Sequence, residues 1–320
     1  VVWGRIPYIG IIFTNVNYLI LIIIIVITPF ILVSIVKTIL KHKNKLLVLV
    51  RKKHVFNPFL RIFLLELRLR WKRVLVSSII TVVFVLLISS LSPDSFDKGA
   101  FFRYELTFFK FFIIFVSCFF FSDIVSSELA KKTGSILFPN INKYTLIGGK
   151  YIANLSIIIL LVIVHYLILN ISVMVIYDSV ILELYISLGI AIIYTITLSA
   201  LILSLGTIMP KVNLTIIIVI FIYILGFPIL EQVLTAINQE IEPIFSLNYI
   251  GNLINHVVTG GLPGGRRWSW AYYADDPLNP VKLWITPTIE VGILIMSLYT
   301  ALLFLFTVLT LKRKEFFMNF

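Results

Sequence analysis

Long apolar runs alternate with short polar stretches along this 320-residue chain. Seven of the runs, 17–36, 74–91, 106–121, 151–177, 182–208, 214–230 and 284–311, are long enough to predict helices that cross a bilayer. Spanning ~30 Å of hydrocarbon takes about 20 helical residues at ~1.5 Å each, and tilt covers the spread among these runs. Composition agrees, with 60% hydrophobic and only 13% charged residues, whereas about 25% of a soluble domain is charged. A water-soluble fold has too little polar surface to cover seven such helices, so the pattern predicts an all-α integral membrane protein.

Lys and Arg near span ends stay on the cytoplasmic side, and here they fall on alternate loops. The stretch between the first two spans holds twelve, from Lys37 to Arg73. The same side gains Lys131, Lys132, Lys143, Lys150, Lys211, Lys312, Arg313 and Lys314. The opposite side receives Arg5, Lys98, Arg103, Lys110, Arg266, Arg267 and Lys282. This split predicts a multi-pass protein of the cell membrane with its N-terminus outside and its C-terminus in the cytoplasm. The net charge of +12 then reflects orientation and attraction to anionic lipid head groups. Nucleic-acid binding is the weaker explanation, since no recognition motif accompanies the charge. The start lacks the basic n-region of a cleavable signal peptide, so the first run is expected to remain as a span. The single cysteine, Cys118, lies in the third run and reads as small apolar packing.

The basic stretch 37–54 divides the chain into an N-terminal part, 1–56, with one accessory helix, and a six-span block, 57–320. Asn57 and Pro58 open the block as N-cap and first helical residue. Over 57–70 and the residues just beyond, Arg61, Arg68, Arg70, Lys72 and Arg73 interleave with apolar residues and Trp71, and Glu66 stands four residues before Arg70. Such a segment predicts an interfacial helix at the cytoplasmic head groups; the alternative is a cytoplasmic extension of the second span. Between the third and fourth spans, 122–150 carries Asp123, Glu128, Lys131 and Lys132, then Gly134 as a helix C-cap, Pro139, Lys143 and Gly149-Lys150. A short amphipathic helix bracketed by Gly and Pro there would form a peg suited to docking a soluble partner. Outside, 231–283 alternates apolar and polar residues but is too broken by Glu231, Glu240, Glu242 and Pro243 to span. It reads as two half-helices dipping into the outer leaflet, followed by a loop rich in Gly, Pro and aromatics.

The order Asp123, Glu128, Gly134, Ser135, Pro139, Lys143, Gly149, Lys150 resembles the cytoplasmic coupling loop of ATP-binding-cassette transporter permeases of the type-2 exporter class. The plan around it is similar too: an interfacial helix, two spans, the loop, three spans, an external re-entrant segment and a last span. Ser135 stands where Thr is usual in that family, and Lys143 follows Pro139 one residue late, with Asn142 in place of Ser. The resemblance covers roughly 57–314 and implies a homodimer, or a pairing with a similar subunit, that docks cytoplasmic ATPase subunits. It places Asp123, Glu128, Lys131, Lys132, Gly134, Pro139 and Lys143 at the ATPase, flanked by Glu66, Arg68, Arg70 and Arg73 of the interfacial helix. The path would run between subunits along 106–121 and 214–230, past Phe108, Phe112, Phe115 and Tyr223. Its apolar character suits a hydrophobic, lipid-linked or peptide-like cargo. ATP and magnesium would belong to the ATPase, and this chain would carry no cofactor of its own.

The residues themselves fit that division of labour. No G-x-x-x-x-G-K-[ST] loop is present, and the Gly-Gly-Lys at 148–150 runs into Tyr151 and an apolar span, so it cannot cradle ATP. The four histidines show no zinc-ligand spacing; only His165 lies in a span, as a hydrogen-bonded core residue or as a group that handles substrate or protons. Asp275-Asp276 is either a solvated turn or half of a magnesium-diphosphate site that lacks its second acidic motif. Glu290, read as about two turns into the last span, would be a costly charge. Two other classes stay open: a membrane enzyme of lipid or isoprenoid chemistry, resting on Asp275-Asp276, and a secondary transporter, which predicts internal repeats and broken helices.

Overall fold

The structure, a computed structural model, describes residues 58–91, 98–131, 142–178, 181–209, 211–259, 267–273 and 276–318. The predicted first span and the basic stretch after it lie outside these residues. What is described is a multi-pass, predominantly helical membrane protein. Five helical segments in it are long and apolar enough to cross a bilayer: Phe101–Val125, Tyr144–Met174, Glu183–Ile208, Val212–Ile237 and Ile289–Arg313.

Helix α1 runs unbroken over Pro58–Leu91. The predicted interfacial segment and second span are therefore one helix, which is the extension reading; no Gly or Pro follows Pro58 within it to break the hydrogen-bond ladder. Helix α2, Lys98–Lys131, starts a full turn or more before the predicted third span and continues past Asp123. Helix α3, Lys143–Tyr177, begins where the Asn142 side chain accepts the Tyr144 N–H at 3.0 Å. Gly148 and Gly149 thus lie inside its first turns, where α1 crosses. A Cβ on Gly149 would sit 3.0 Å from Ile62 Cγ2, so the glycine is what lets the two backbones approach.

Helix α4, Glu183–Ile208, sits at the centre, packed on α2, α3 and a last helix α9, Ile289–Met318. Helix α5, Val212–Phe221, passes through a π-helical turn, Ile222–Gly226, into α6, Phe227–Ile237. The wider turn accommodates Pro228, whose ring and missing N–H disturb a regular ladder. The sixth span therefore continues beyond its predicted end, and Glu231 belongs to a helix.

Two short helices follow, α7, Leu247–Gly251, capped by Ser246, and α8, Leu253–Thr259, which packs on α2 and α4. The stretch expected to be loop contains an antiparallel hairpin, β1, Trp268–Tyr273, and β2, Asp276–Trp284, with Trp268 opposite Trp284 and Trp270 opposite Lys282. The alternation Trp-Ser-Trp, with aromatics of high strand propensity, outweighs the flanking Gly and Pro; Pro277 and Pro280 are tolerated because both strands of a two-stranded ribbon are edges. The hairpin also corrects the place of Glu290. Helix α9 starts only at Ile289, so Glu290 is exposed in its first turn, where the helix N-terminus favours a carboxylate.

Candidate functional site

The N-terminal part of α1 and the C-terminal part of α2 are joined by a charged latch. One helical turn places Glu66 beside Arg70, whose Nε donates to Glu66 Oε1 at 2.5 Å. Its Nη2 donates to Asp123 Oδ1 at 2.6 Å and its Nη1 to the Phe120 carbonyl at 2.9 Å. Arg73, a turn further along, donates through Nη1 to Asp123 Oδ2 and to the Phe119 carbonyl, both at 3.1 Å. Arg70 and Glu66 are buried, Asp123 half-buried and Arg73 exposed. Two cations face two carboxylates, so the cluster carries no net charge and needs no counterion where water is scarce. Its bonds are of the short, charge-assisted kind.

Above the latch the two helices flank an open groove of about 900 Å³. Phe108, Phe112, Phe115 and Phe119 recur every three or four residues and form one stripe along α2; Val76 and Ile80 of α1 face them across the groove. From Asp123 to Phe108 the helix rises about 22 Å, most of a hydrocarbon layer. Polarity is confined to the latch end, where Lys72 and Arg73 line the mouth, and to Ser77. Phe108, Phe115 and Phe119 remain exposed, so α2 presents an aromatic face along the groove. The arrangement offers an apolar body a long greasy seat with cationic groups at one end.

A second polar network lies toward the opposite end of α2. Lys110 of α2, buried in its surroundings, donates to Asn252 Oδ1 at 2.7 Å and Asn248 Oδ1 at 3.1 Å. Glu231 of α6 accepts from the Ser246 hydroxyl and from Asn248 Nδ2 at 3.3 Å. Gly251 makes the approach possible, since a Cβ there would sit 3.0 Å from both Lys110 Cδ and Tyr194 Cε2. Next to it, Glu242 accepts from the Tyr249 hydroxyl at 2.8 Å and pairs with Arg267 at 3.1 Å. Burial, together with that carboxylate, holds the Tyr249 phenol well above its usual range. Lys282 lies over the rings of Trp284, at 4.4 Å, and Trp268, at 5.1 Å.

Of the residues singled out from the sequence, Glu66, Arg70, Arg73 and Asp123 come together, with Phe108, Phe112 and Phe115 in the adjoining groove. Arg68 is exposed and takes no part in the latch. Glu128 and Lys131 fall in the last turns of α2 and Lys143 at the start of α3, described in backbone only; Lys132, Gly134 and Pro139 lie outside the described residues. Tyr223 is buried, with its hydroxyl hydrogen-bonded to Tyr194, and is not part of the groove. Asp276 opens β2, Asp275 is outside the described residues, and among those described no three His, Cys, Asp or Glu side chains converge to hold a metal. Sequence reasoning missed Lys110, which was counted as an external cation. Its signal was the Asn-rich LNYIGN segment of matching polarity more than a hundred residues away. It missed Glu105 as well, a fully buried carboxyl on α2. No family model and no curated protein matches the chain.

Proposed function

We propose that the chain is the membrane-spanning permease of an ATP-driven exporter, as its resemblance to the type-2 class implies, and that it moves a hydrophobic, lipid-linked or peptide-like cargo with ATP hydrolysed by a separate subunit. The observation that carries this reading is the latch of Glu66, Arg70, Arg73 and Asp123 at the foot of the phenylalanine groove. The latch ties α1 to α2 just where α2 leads into the coupling segment. A push delivered there by an ATPase would move both helices together and, with them, both walls of the groove. In the orientation that the cations favour, the latch is cytoplasmic and the Lys110 network external.

Glu128 is the residue through which to test this. In the coupling segment it would make a charge-assisted contact with a basic group on the ATPase, worth about 1.5–3 kcal/mol. Glu128→Lys removes that contact and adds repulsion, so assembly should weaken at least about tenfold. The chain purified in mild detergent should bring an ATPase with it, identified by mass spectrometry, and the pair should show cargo-stimulated ATP hydrolysis that the variant loses. Assembly and turnover equal to the parent's would remove the coupling assignment, and the absence of any co-purifying ATPase would remove the exporter reading.

A further inference from the structure

One pair of buried ionisable groups takes no part in the latch, the groove or the Lys110 network. Glu105 of α2 and His165 of α3 both lie within membrane-spanning segments, completely enclosed, with His165 Nε2 at 3.7 Å from Glu105 Oε1. Neither carboxyl oxygen and neither ring nitrogen has a hydrogen-bond partner among the described residues. The imidazole is fixed in place: it stacks on Phe109 with ring centres 3.8 Å apart and planes 10° from parallel, and Tyr166 meets it edge-on at 6.0 Å.

Among the described residues no fixed cation neutralises the carboxyl. On its own helix Arg103 is exposed and the Lys110 ammonium is held by Asn248 and Asn252; Arg70 and Arg73 are engaged with Asp123 at the far end. Between Lys150 and Lys211 the sequence has no Lys or Arg, so α4 and the body of α3 supply none. The other titratable groups on the packed elements are committed elsewhere or are neutral. Tyr166 shares a hydrogen bond with Ser187 at 2.7 Å, Tyr194 is bonded to Tyr223, and partial burial lowers the basicity of His256 of α8. Glu183, at the start of α4, is exposed, and α5 has no ionisable residue. A bare carboxylate in such a place is strongly disfavoured against the neutral acid.

We propose that Glu105 and His165 form a proton-binding site within the membrane, in which Glu105 is held as the neutral acid and its O–H donates to Nε2 of His165. A carboxyl rotation that shortens the contact by roughly 0.7–1 Å brings it into hydrogen-bond range. The proton can leave only to water, and water reaches the pair only when α2 and α3 part. Ionisation of Glu105 therefore reports, and opposes the reversal of, a separation of these two helices. The inference stands on the pair alone and does not depend on the exporter reading.

Infrared spectroscopy of the purified full chain in lipid nanodiscs tests it. At neutral pH the spectrum should contain a protonated-carboxyl C=O band that moves down in heavy water and is abolished in Glu105→Gln. His165→Phe, which keeps the stack on Phe109 but removes the acceptor, should shift that band to higher frequency, as for a carboxyl freed from its hydrogen bond. Nitrogen-15 spectra of labelled histidine, assigned by the same variant, should show His165 singly protonated. A spectrum without a band sensitive to Glu105→Gln, a band that His165→Phe leaves in place, or a doubly protonated His165 would each overturn the proposal.

Discussion

Helices α4 and α9 pack against each other and are both apolar enough to cross a bilayer, yet 61% of the most apolar stretch of α4 is buried against 17% for α9. The difference lies in size and hydroxyl content. Helix α4 buries Ser187, Thr195, Thr197, Ser199, Ser204 and Thr207 together with Ala191, Ala200 and Gly206, small residues that let neighbouring backbones close in and hydroxyls that bond to backbone carbonyls. Helix α9 turns Leu294, Leu298, Leu302, Leu305 and Leu309 outward. In lipid, where Leu gains nothing by leaving the solvent, apolarity qualifies a helix to span the membrane. Small residues decide whether it stands at the centre.

The same substitution placed in both helices gives the largest expected contrast. Ala200 of α4 is fully buried and Ala301 of α9 is exposed. Ala200→Leu forces a branched side chain into a closed interface and should cost about 1–3 kcal/mol, whereas Ala301→Leu should be neutral within about 0.5 kcal/mol. Thermal unfolding of the two variants in one detergent measures the difference. Equal melting temperatures would break the comparison.

How much of this was legible in the sequence follows from the range of each signal. The five spans from the third apolar run onward could be read from apolar runs alone, because the bilayer demands length and little else. The Glu66–Arg70 half of the latch was legible as a pair one turn apart; its partner Asp123 was named, but for docking an ATPase, since nothing in a sequence shows a residue 53 positions away folding back onto Arg70. Glu105 stands just before the run 106–121 and drew no reading, and Lys110, inside that run, was counted with the external cations. The structure keeps them in the helix by facing them into protein, which polarity along the chain cannot reveal. The hairpin was hidden by its Gly and Pro neighbours, and the early start of α3 by Gly148 and Gly149, which mark a close helix crossing where the sequence suggested a lead-in.

A smaller effect separates hydroxyls from size in α4. The Thr197 hydroxyl donates to the Met296 carbonyl of α9 at 3.1 Å and shares a hydrogen bond with Thr300 at 3.0 Å. Thr197→Val keeps the shape and removes both. Interhelical hydrogen bonds of this kind contribute about 0.6 kcal/mol and at most about 1.7, so the variant should lose stability within that range, and a double-mutant cycle with Thr300→Val should recover most of it as coupling. A loss of several kcal/mol would mean that the α4–α9 contact depends on polar bonding and that the contrast with the leucine face is misattributed to size.

The smallest expected effect falls on that leucine face. Leu302 is half exposed on α9, and truncating it removes contacts made mainly with lipid tails, which refill the space at little cost. Leu302→Ala should therefore change stability by less than about 0.5 kcal/mol and leave the oligomeric state untouched in size-exclusion chromatography with light scattering. The measurement discriminates because a subunit interface would respond otherwise: a leucine packed against a second protein loses its contacts without replacement and leaves a cavity, a penalty of about 2–5 kcal/mol. A large loss, or a shift toward monomer, would show that α9 is covered by protein in the assembled molecule. Its exposure in the isolated chain would then describe half of an interface and not a lipid-facing surface.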